Sequence, residues 1–101
     1  MNEATVRLTE LPMRRRDEIV RVAARYGARN VRVYGSAARG DIRPSSDLDF
    51  LVDLNPDRTL MDLGGLLMEL QELLHVRVDI ATEGMLRPKV GKHALADAIP
   101  L

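Results

Sequence analysis

The chain is short, electrically balanced and free of cysteine. It has 101 residues with 15 basic and 15 acidic side chains, which give a formal net charge of zero. Zero net charge and three aromatic residues argue against a nucleic-acid-binding domain. The lack of cysteine excludes a disulfide framework, a thiolate zinc site and a cysteine nucleophile.

Length and hydropathy predict one soluble domain. With 46% hydrophobic residues the chain has enough apolar surface for a modest core, and we expect residues 1–101 to form a single domain. The N-terminal segment has no basic start followed by an apolar core, and no apolar run approaches transmembrane length. These features predict a cytoplasmic protein with no membrane contact and no second domain.

The first predicted element is a helix over residues 13–26. Gly27 stands where a helix C-cap belongs, and the three arginines at 14–16 are expected to form a solvated helix face rather than a phosphate contact. Four apolar positions recur at helical spacing and should cover the sheet: Ile19, Val22, Ala23 and Tyr26.

A strand and a sharp turn follow this helix. Val31 to Tyr34 are typical of a short strand, and Gly35 allows the chain to turn and its backbone N–H groups to approach a ligand. Ser36 begins a short turn that presents unpaired N–H donors to an anion. The turn therefore predicts a phosphate-binding segment.

Carboxylates alternate along the next predicted strand, residues 47–53. Alternation places Asp47 and Asp49 on one face, with Cα atoms roughly 6.5 to 7 Å apart. Two neighbouring carboxylates resist joint ionisation unless a hard cation such as Mg²⁺ keeps both charged. Together with the phosphate-binding turn, they predict a site for a nucleoside triphosphate and Mg²⁺.

A second helix and a third strand complete the regular pattern. Thr59 and Asp62 have the spacing of a capping box, and Gly64-Gly65 indicates close packing or a kink in the helix that follows. For Met61 and Met68 two alternatives remain, a place in the core or a contact with a partner. The predicted apolar stripe of this helix consists of Leu60, Leu63, Leu67, Leu70 and Leu74.

Asp79 is the notable residue of the third predicted strand, Val76 to Ala81. A carboxylate between Val78 and Ile80 is costly unless it is exposed, paired or bound to a metal. The residues alone leave two alternatives for a role of Asp79, a metal or catalytic site and an ion pair with a neighbouring arginine. The tail is less informative, and residues 93–99 are predicted to form a short final helix.

These motifs carry a family resemblance. Gly35-Ser36, ten intervening residues that include Arg39-Gly40 and Ser46, and then Asp47-Leu48-Asp49 resemble the signature of the polymerase-β-like nucleotidyltransferase superfamily. The short chain is similar over nearly its whole length to the minimal nucleotidyltransferases, the antitoxins of HEPN/MNT toxin–antitoxin pairs. Ala37 stands where members of that family often carry a basic residue.

The resemblance implies an activity and a role for each motif residue. A protein of this family transfers AMP from ATP to a tyrosine hydroxyl of a HEPN ribonuclease toxin and so inactivates it. Asp47, Asp49 and Asp79 would serve as catalytic and metal-binding residues, while Gly35, Ser36 and Arg39 would bind the nucleotide. An alternative left open is a non-catalytic antitoxin that neutralises its partner by binding alone.

The expected architecture is the α/β minimal nucleotidyltransferase fold. It would contain a mixed sheet of three or four strands, with helices packed on one face and the nucleotide on the other. Surplus leucine in the second helix and the tail leaves open whether apolar surface is covered in a homodimer or a hetero-oligomer. The sequence does not determine nucleotide preference or the number of metal ions.

Overall fold

A four-stranded mixed sheet organises the chain. The computed structural model describes residues 11–35, 48–85 and 98–101. Helices α1 and α2 precede the first two strands, α3 follows them, and a 3₁₀ turn follows β3. Their bounds are α1 Leu11–Arg14, α2 Arg16–Arg25, β1 Ala28–Tyr34, β2 Leu48–Leu54, α3 Leu60–Leu74, β3 Val78–Ala81, the 3₁₀ turn Glu83–Met85 and β4 Ile99–Pro100.

Strand order in the sheet is β3-β2-β1-β4. β1 runs antiparallel to β2 and to β4, whereas β2 and β3 are parallel and are joined through α3. The mixed four-stranded sheet confirms the predicted α/β architecture.

The helices pack on one face of this sheet. Alternation along β2 turns Leu48, Phe50 and Val52 toward the helices, and all three are almost fully buried. The opposite face of β2, on which no described α-helix packs and which we call the open face, carries Asp49, Asp53 and the fully buried Leu51. The core contributed by the helices consists of Ile19, Val22, Ala23, Leu63, Leu66, Leu70 and Leu74.

A β-bulge in β1 sets which side chains reach the open face. The pairing with β2 changes register between Arg29 and Arg32, and Asn30 adopts a positive φ of 51°. The extra residue lets Arg29 and Arg32 both pair on the open face although they are three positions apart. Val31 and Val33 consequently enter the core, and Tyr34 faces away from it.

The predicted first helix is interrupted. Arg15 leaves helical geometry at φ −108° and ψ 20°, so the chain forms a single turn, α1, and then α2. Arg15 is still bonded to both helices, because its N–H donates to the Leu11 carbonyl of α1 and its carbonyl accepts from the Ile19 N–H of α2. The C-terminal prediction is confirmed, because Gly27 has a φ of 74° directly after the helix.

Helix α3 begins at the predicted capping box. The Thr59 hydroxyl accepts from the Met61 N–H, and the Asp62 carboxylate accepts from the Thr59 N–H at 3.0 Å. The predicted stripe was wrong at Leu60, which is 72% exposed because it is the first helical residue and lies beyond the edge of the core. Leu66, which the stripe omitted, is fully buried.

The Gly64-Gly65 pair has one packing explanation and no kink. A Cβ on Gly65 would lie 2.6 Å from the ring of Tyr26, so close packing is confirmed there. No described atom lies within 4 Å of a Cβ on Gly64, and α3 continues unbroken through both glycines. Met61 and Met68 are 86% and 65% exposed, which excludes the core alternative for both.

Strand ends differ slightly from prediction. β1 begins earlier, at Ala28, and β3 begins later, at Val78. The predicted final helix was wrong at its end, because Ile99 pairs with Val33 in a strand; the rest of that prediction lies outside the described residues. None of the helices in the described ranges is long and apolar enough to cross a membrane.

Candidate active site

Three polar side chains form one row across the open face of the sheet. Tyr34 of β1 pairs with Asp49 of β2, and Asp49 pairs with Asp79 of β3. Directly paired residues on neighbouring strands project to the same face, with strands roughly 4.8 Å apart. The two carboxylates therefore share one face, as the sequence predicted, and Asp79 does not turn toward the core.

Gly35 lies against the first of these carboxylates. It follows β1 with a φ of 71°, a conformation that glycine adopts without strain. A Cβ at this position would lie 2.7 Å from Oδ2 of Asp49. The turn and the carboxylate thus come together in space, which is the juxtaposition that the motif spacing predicted.

Burial and charge act together on the phenol in this row. Tyr34 is partly buried, and burial followed by the negative charges of Asp49 and Asp79 raises the pKa of Tyr34 to about 12. The phenol is therefore protonated at neutral pH and can donate a hydrogen bond. The sequence analysis used Tyr34 only as a strand end; its alternation with Arg32 was the signal that it faces the carboxylates.

Asp79 is exposed, and its carboxylate accepts a local hydrogen bond. Its Oδ1 accepts from the Ile80 N–H at 3.1 Å. Among residues 11–35, 48–85 and 98–101, no arginine or lysine lies within ion-pair distance of it. This geometry gives no support to the alternative that Asp79 serves an ion pair.

A buried arginine occupies the same face beside the row. Arg32 is 7% exposed and donates to Asp53 at 2.9 Å and to Glu83 at 3.2 Å, while its Nε donates to the Asn30 carbonyl. Its pairing partner on β2 is Leu51, one step along the face from Asp49. The sequence analysis did not predict the cluster of Arg32, Asp53 and Glu83, because the bulge that brings Arg32 to this face has no clear signature in the sequence.

Half of the predicted site residues lie within the described ranges. Gly35, Asp49 and Asp79 come together, whereas Ser36, Arg39 and Asp47 fall outside the described residues. Among the described residues, no group of three His, Cys, Asp or Glu side chains is arranged to hold a metal ion. The predicted set of three includes Asp47, so that set is not tested. Asp49 and Asp79 supply paired oxygen ligands of the kind that Mg²⁺ prefers, and in this respect they fit the ion.

A comparison with known protein families identifies the domain. Residues 17–100 match the family model of the nucleotidyltransferase domain. The chain belongs to the nucleotidyltransferase domain family. The Gly35 turn and the row of Asp49 and Asp79 lie within the matched residues.

Individual relatives agree with this assignment. The nucleotidyltransferase is 30% identical over 82 residues to a proposed protein adenylyltransferase of Methanocaldococcus jannaschii, covering 81% of this chain and 88% of the relative. It is 33% identical over 75 residues to the protein adenylyltransferase MntA of Thermococcus cleftensis, covering 74% and 76% of the two chains.

Solved structures share its fold. A structure described as a proposed minimal nucleotidyltransferase is 44% identical and superposes with a TM-score of 0.84, covering 96% of this chain and 99% of that one. A toxin–antitoxin structure solved with AMP-PNP superposes with a TM-score of 0.70 at 15% identity, covering 83% and 69%. The second likeness establishes fold alone.

Proposed function

We propose that this nucleotidyltransferase is a Mg²⁺-dependent protein adenylyltransferase and antitoxin. It transfers AMP from ATP to a tyrosine hydroxyl of a HEPN ribonuclease toxin and so inactivates the toxin. The observation that carries the proposal is the pairing of Asp49 with Asp79 beside Gly35, on the sheet face that the helices leave open.

The choice of substrates has support from the relatives. The matched proteins of M. jannaschii and T. cleftensis are named as protein adenylyltransferases, which specifies AMP transfer to protein. A fold neighbour was solved as a toxin–antitoxin complex with AMP-PNP, an analogue of ATP. The HEPN identity of the toxin is proposed from the resemblance of the sequence motifs to the antitoxins of HEPN/MNT pairs.

In the proposed site, Asp47, Asp49 and Asp79 would hold one or two Mg²⁺ ions, which would neutralise phosphate charge and supply Lewis-acid stabilisation of the leaving pyrophosphate. We assign the β- and γ-phosphates to the backbone N–H groups of Gly35 and Ser36 and to the Ser36 hydroxyl, and a further phosphate contact to Arg39.

We assign proton transfer to the carboxylate that β3 contributes. As the tyrosine oxygen of the toxin bonds to the α-phosphorus, the bond from that phosphorus to the bridging oxygen breaks and pyrophosphate leaves. Asp79 accepts the proton of the attacking hydroxyl, a role suited to its exposed carboxylate at the edge of the row. Tyr34 stays protonated at neutral pH beside these carboxylates.

The test is label transfer from ATP labelled at the α-phosphate. The full chain is incubated with Mg²⁺ and the product of the neighbouring gene, which the proposal identifies as the HEPN toxin, and the modified tyrosine is located by mass spectrometry. Asp49→Asn and Asp79→Asn should each reduce transfer by roughly 100-fold or more, because each removes several kcal/mol of transition-state stabilisation. Asp17→Asn, an exposed acid at the start of α2, is the matched control and should transfer label like the wild type.

Two outcomes would contradict the proposal. If Asp49→Asn transfers as much label as the wild type, the Asp49 carboxylate takes no part in the chemistry. Full neutralisation of the toxin, without label transfer, by a variant that carries both Asp49→Asn and Asp79→Asn would favour the alternative antitoxin that acts by binding alone.

A further inference from the structure

Exposed apolar side chains concentrate on the outer face of α3. Leu60, Met61 and Met68 are 72%, 86% and 65% exposed, more than any large apolar residue described elsewhere in the chain. At 100° per residue, Met61 and Met68 lie on one line of the helix, opposite the buried leucines. We define the α3 outer face by Leu60, Met61, Gly64, Met68 and Glu72.

Gly64 lies between the two methionines without a packing role in this chain. Its neighbour Gly65 is required by the Tyr26 ring, but a Cβ on Gly64 would meet no described atom within 4 Å. Glycine lowers helix stability relative to alanine, so its place in the middle of α3 is unfavourable for the isolated protein. A gap between two flexible methionines does allow the close approach of another helix.

The border of this face is acidic. From residue 57 to residue 72 the sequence contains four acids and one base. Three of the acids have a basic partner within the chain, since Arg58 pairs with Asp62 and lies 4.0 Å from Asp57, and Arg25 pairs with Glu69. Asp57 and Glu72 remain exposed at the two ends of the face, so a surface that covers it is favoured if it carries Lys or Arg.

The same charges disfavour a second copy of this chain on the face. In a twofold antiparallel packing of α3 on α3 centred between Gly64 and Gly65, Glu72 of one copy lies opposite Asp57 of the other. Like charges in contact oppose association. Charge complementarity therefore points to a different protein.

We propose that the α3 outer face is the docking surface for the HEPN toxin, which contacts it through a helix whose apolar side chains are bordered by Lys or Arg. This inference rests on the proposed function for the identity of the partner. It adds where the toxin binds and the chemistry of the toxin surface that meets α3.

Binding without ATP tests the surface apart from catalysis. The affinity of the full chain for the HEPN protein encoded beside it is measured by calorimetry for the wild type, Gly64→Leu, Met68→Glu and Glu72→Lys. Gly64→Leu fills the gap and Met68→Glu places a charge in the apolar contact, and each should weaken binding by at least about tenfold. Glu72→Lys should weaken binding and reduce its dependence on salt.

Two measurements separate docking from folding. Met13→Glu, an equivalent change at an exposed methionine of α1, is the matched control and should bind like the wild type. Thermal unfolding should show Gly64→Leu at least as stable as the wild type, because the new side chain enters open space in a helix. A loss of binding in this stabilised variant cannot be attributed to unfolding.

The outcomes distinguish this inference from the proposed function. If the three α3 variants bind like the wild type while AMP transfer proceeds, the docking surface is wrong and the proposed function stands. If the wild type neither binds nor labels the HEPN protein, both fail. If the free chain self-associates and Gly64→Leu abolishes this, a second copy covers the face and the inference is overturned.

Discussion

Gly35 provides the sharpest test of the geometry around Asp49. An alanine there must hold a φ of 71°, which costs an L-residue about 1 to 2 kcal/mol. Its Cβ would also lie 2.7 Å from Oδ2 of Asp49, a flexible carboxylate that can rotate away. Stability should thus fall by about 1 to 2 kcal/mol, or roughly 5 to 10 °C in Tm for a domain of this size. The displaced carboxylate should reduce AMP transfer more strongly than the loss of stability alone explains.

Gly64→Ala is the matched control in the same chain. The new methyl group meets open space within a helix, so Tm should rise by a few degrees, consistent with a gain of about 1 kcal/mol. Both variants are followed by circular dichroism during heating and by label transfer below the transition. A Gly35→Ala protein with wild-type Tm and wild-type transfer would show that neither the turn conformation nor the contact with Asp49 matters.

Three further changes test the electrostatics of the described residues. In a Tyr26→Phe background, the absorbance of the Tyr34 phenolate should appear with a midpoint near pH 12 instead of about pH 10. Asp79→Asn should lower that midpoint. A midpoint that Asp79→Asn leaves unchanged would show that the charge of Asp79 does not act on Tyr34. Replacing Arg32 by methionine should cost about 2 kcal/mol in urea unfolding, below the loss for a fully buried pair because its two partner carboxylates are 30% and 53% exposed. The hydrogen bond from the N-cap backbone N–H lowers the pKa of Asp62, so Asp62→Asn should reduce stability at neutral pH, and the difference from wild type should vanish as the pH falls through that lowered pKa.

The sequence predicted those features that depend on periodicity and local motifs. Alternation was enough to place Asp49 on the open face and Val78 and Ile80 in the core, and the Thr59 capping box gave the start of α3. The pairing of Asp49 with Asp79 required the register between two strands separated by a helix, which no local pattern specifies.

Features that depend on an irregular backbone were beyond prediction. The bulge at Asn30 adds one residue to β1, and this addition brings Arg29 and Arg32 to the same face, where both pair with Asp53. The break at Arg15 likewise has no glycine or proline at the residue itself to mark it. A positive φ at a residue other than glycine is uncommon, so sequence reasoning assigns regular geometry to such positions.

The proposed docking surface and the proposed active site lie on opposite sides of the sheet. Helix α3 covers one face, whereas Asp49 and Asp79 project from the other. A helix is about 10 Å thick and packs about 10 Å from a sheet, so the α3 outer face is roughly 15 to 20 Å from the carboxylates. A toxin docked on α3 cannot place a tyrosine of its rigid core in the site of the same molecule.

The modified tyrosine must therefore lie on an extended segment or reach the site of another antitoxin molecule. An extended chain spans about 3.3 Å per residue, so at least about six residues are needed to cover this distance. We expect Met68→Glu to raise KM for the intact toxin without changing kcat, because docking is weakened while the carboxylates are untouched. A short synthetic peptide that carries the tyrosine should be modified equally by the wild type and Met68→Glu. Equal losses with toxin and peptide would mean that the α3 change disturbs the site itself, and would refute the separation of docking from chemistry.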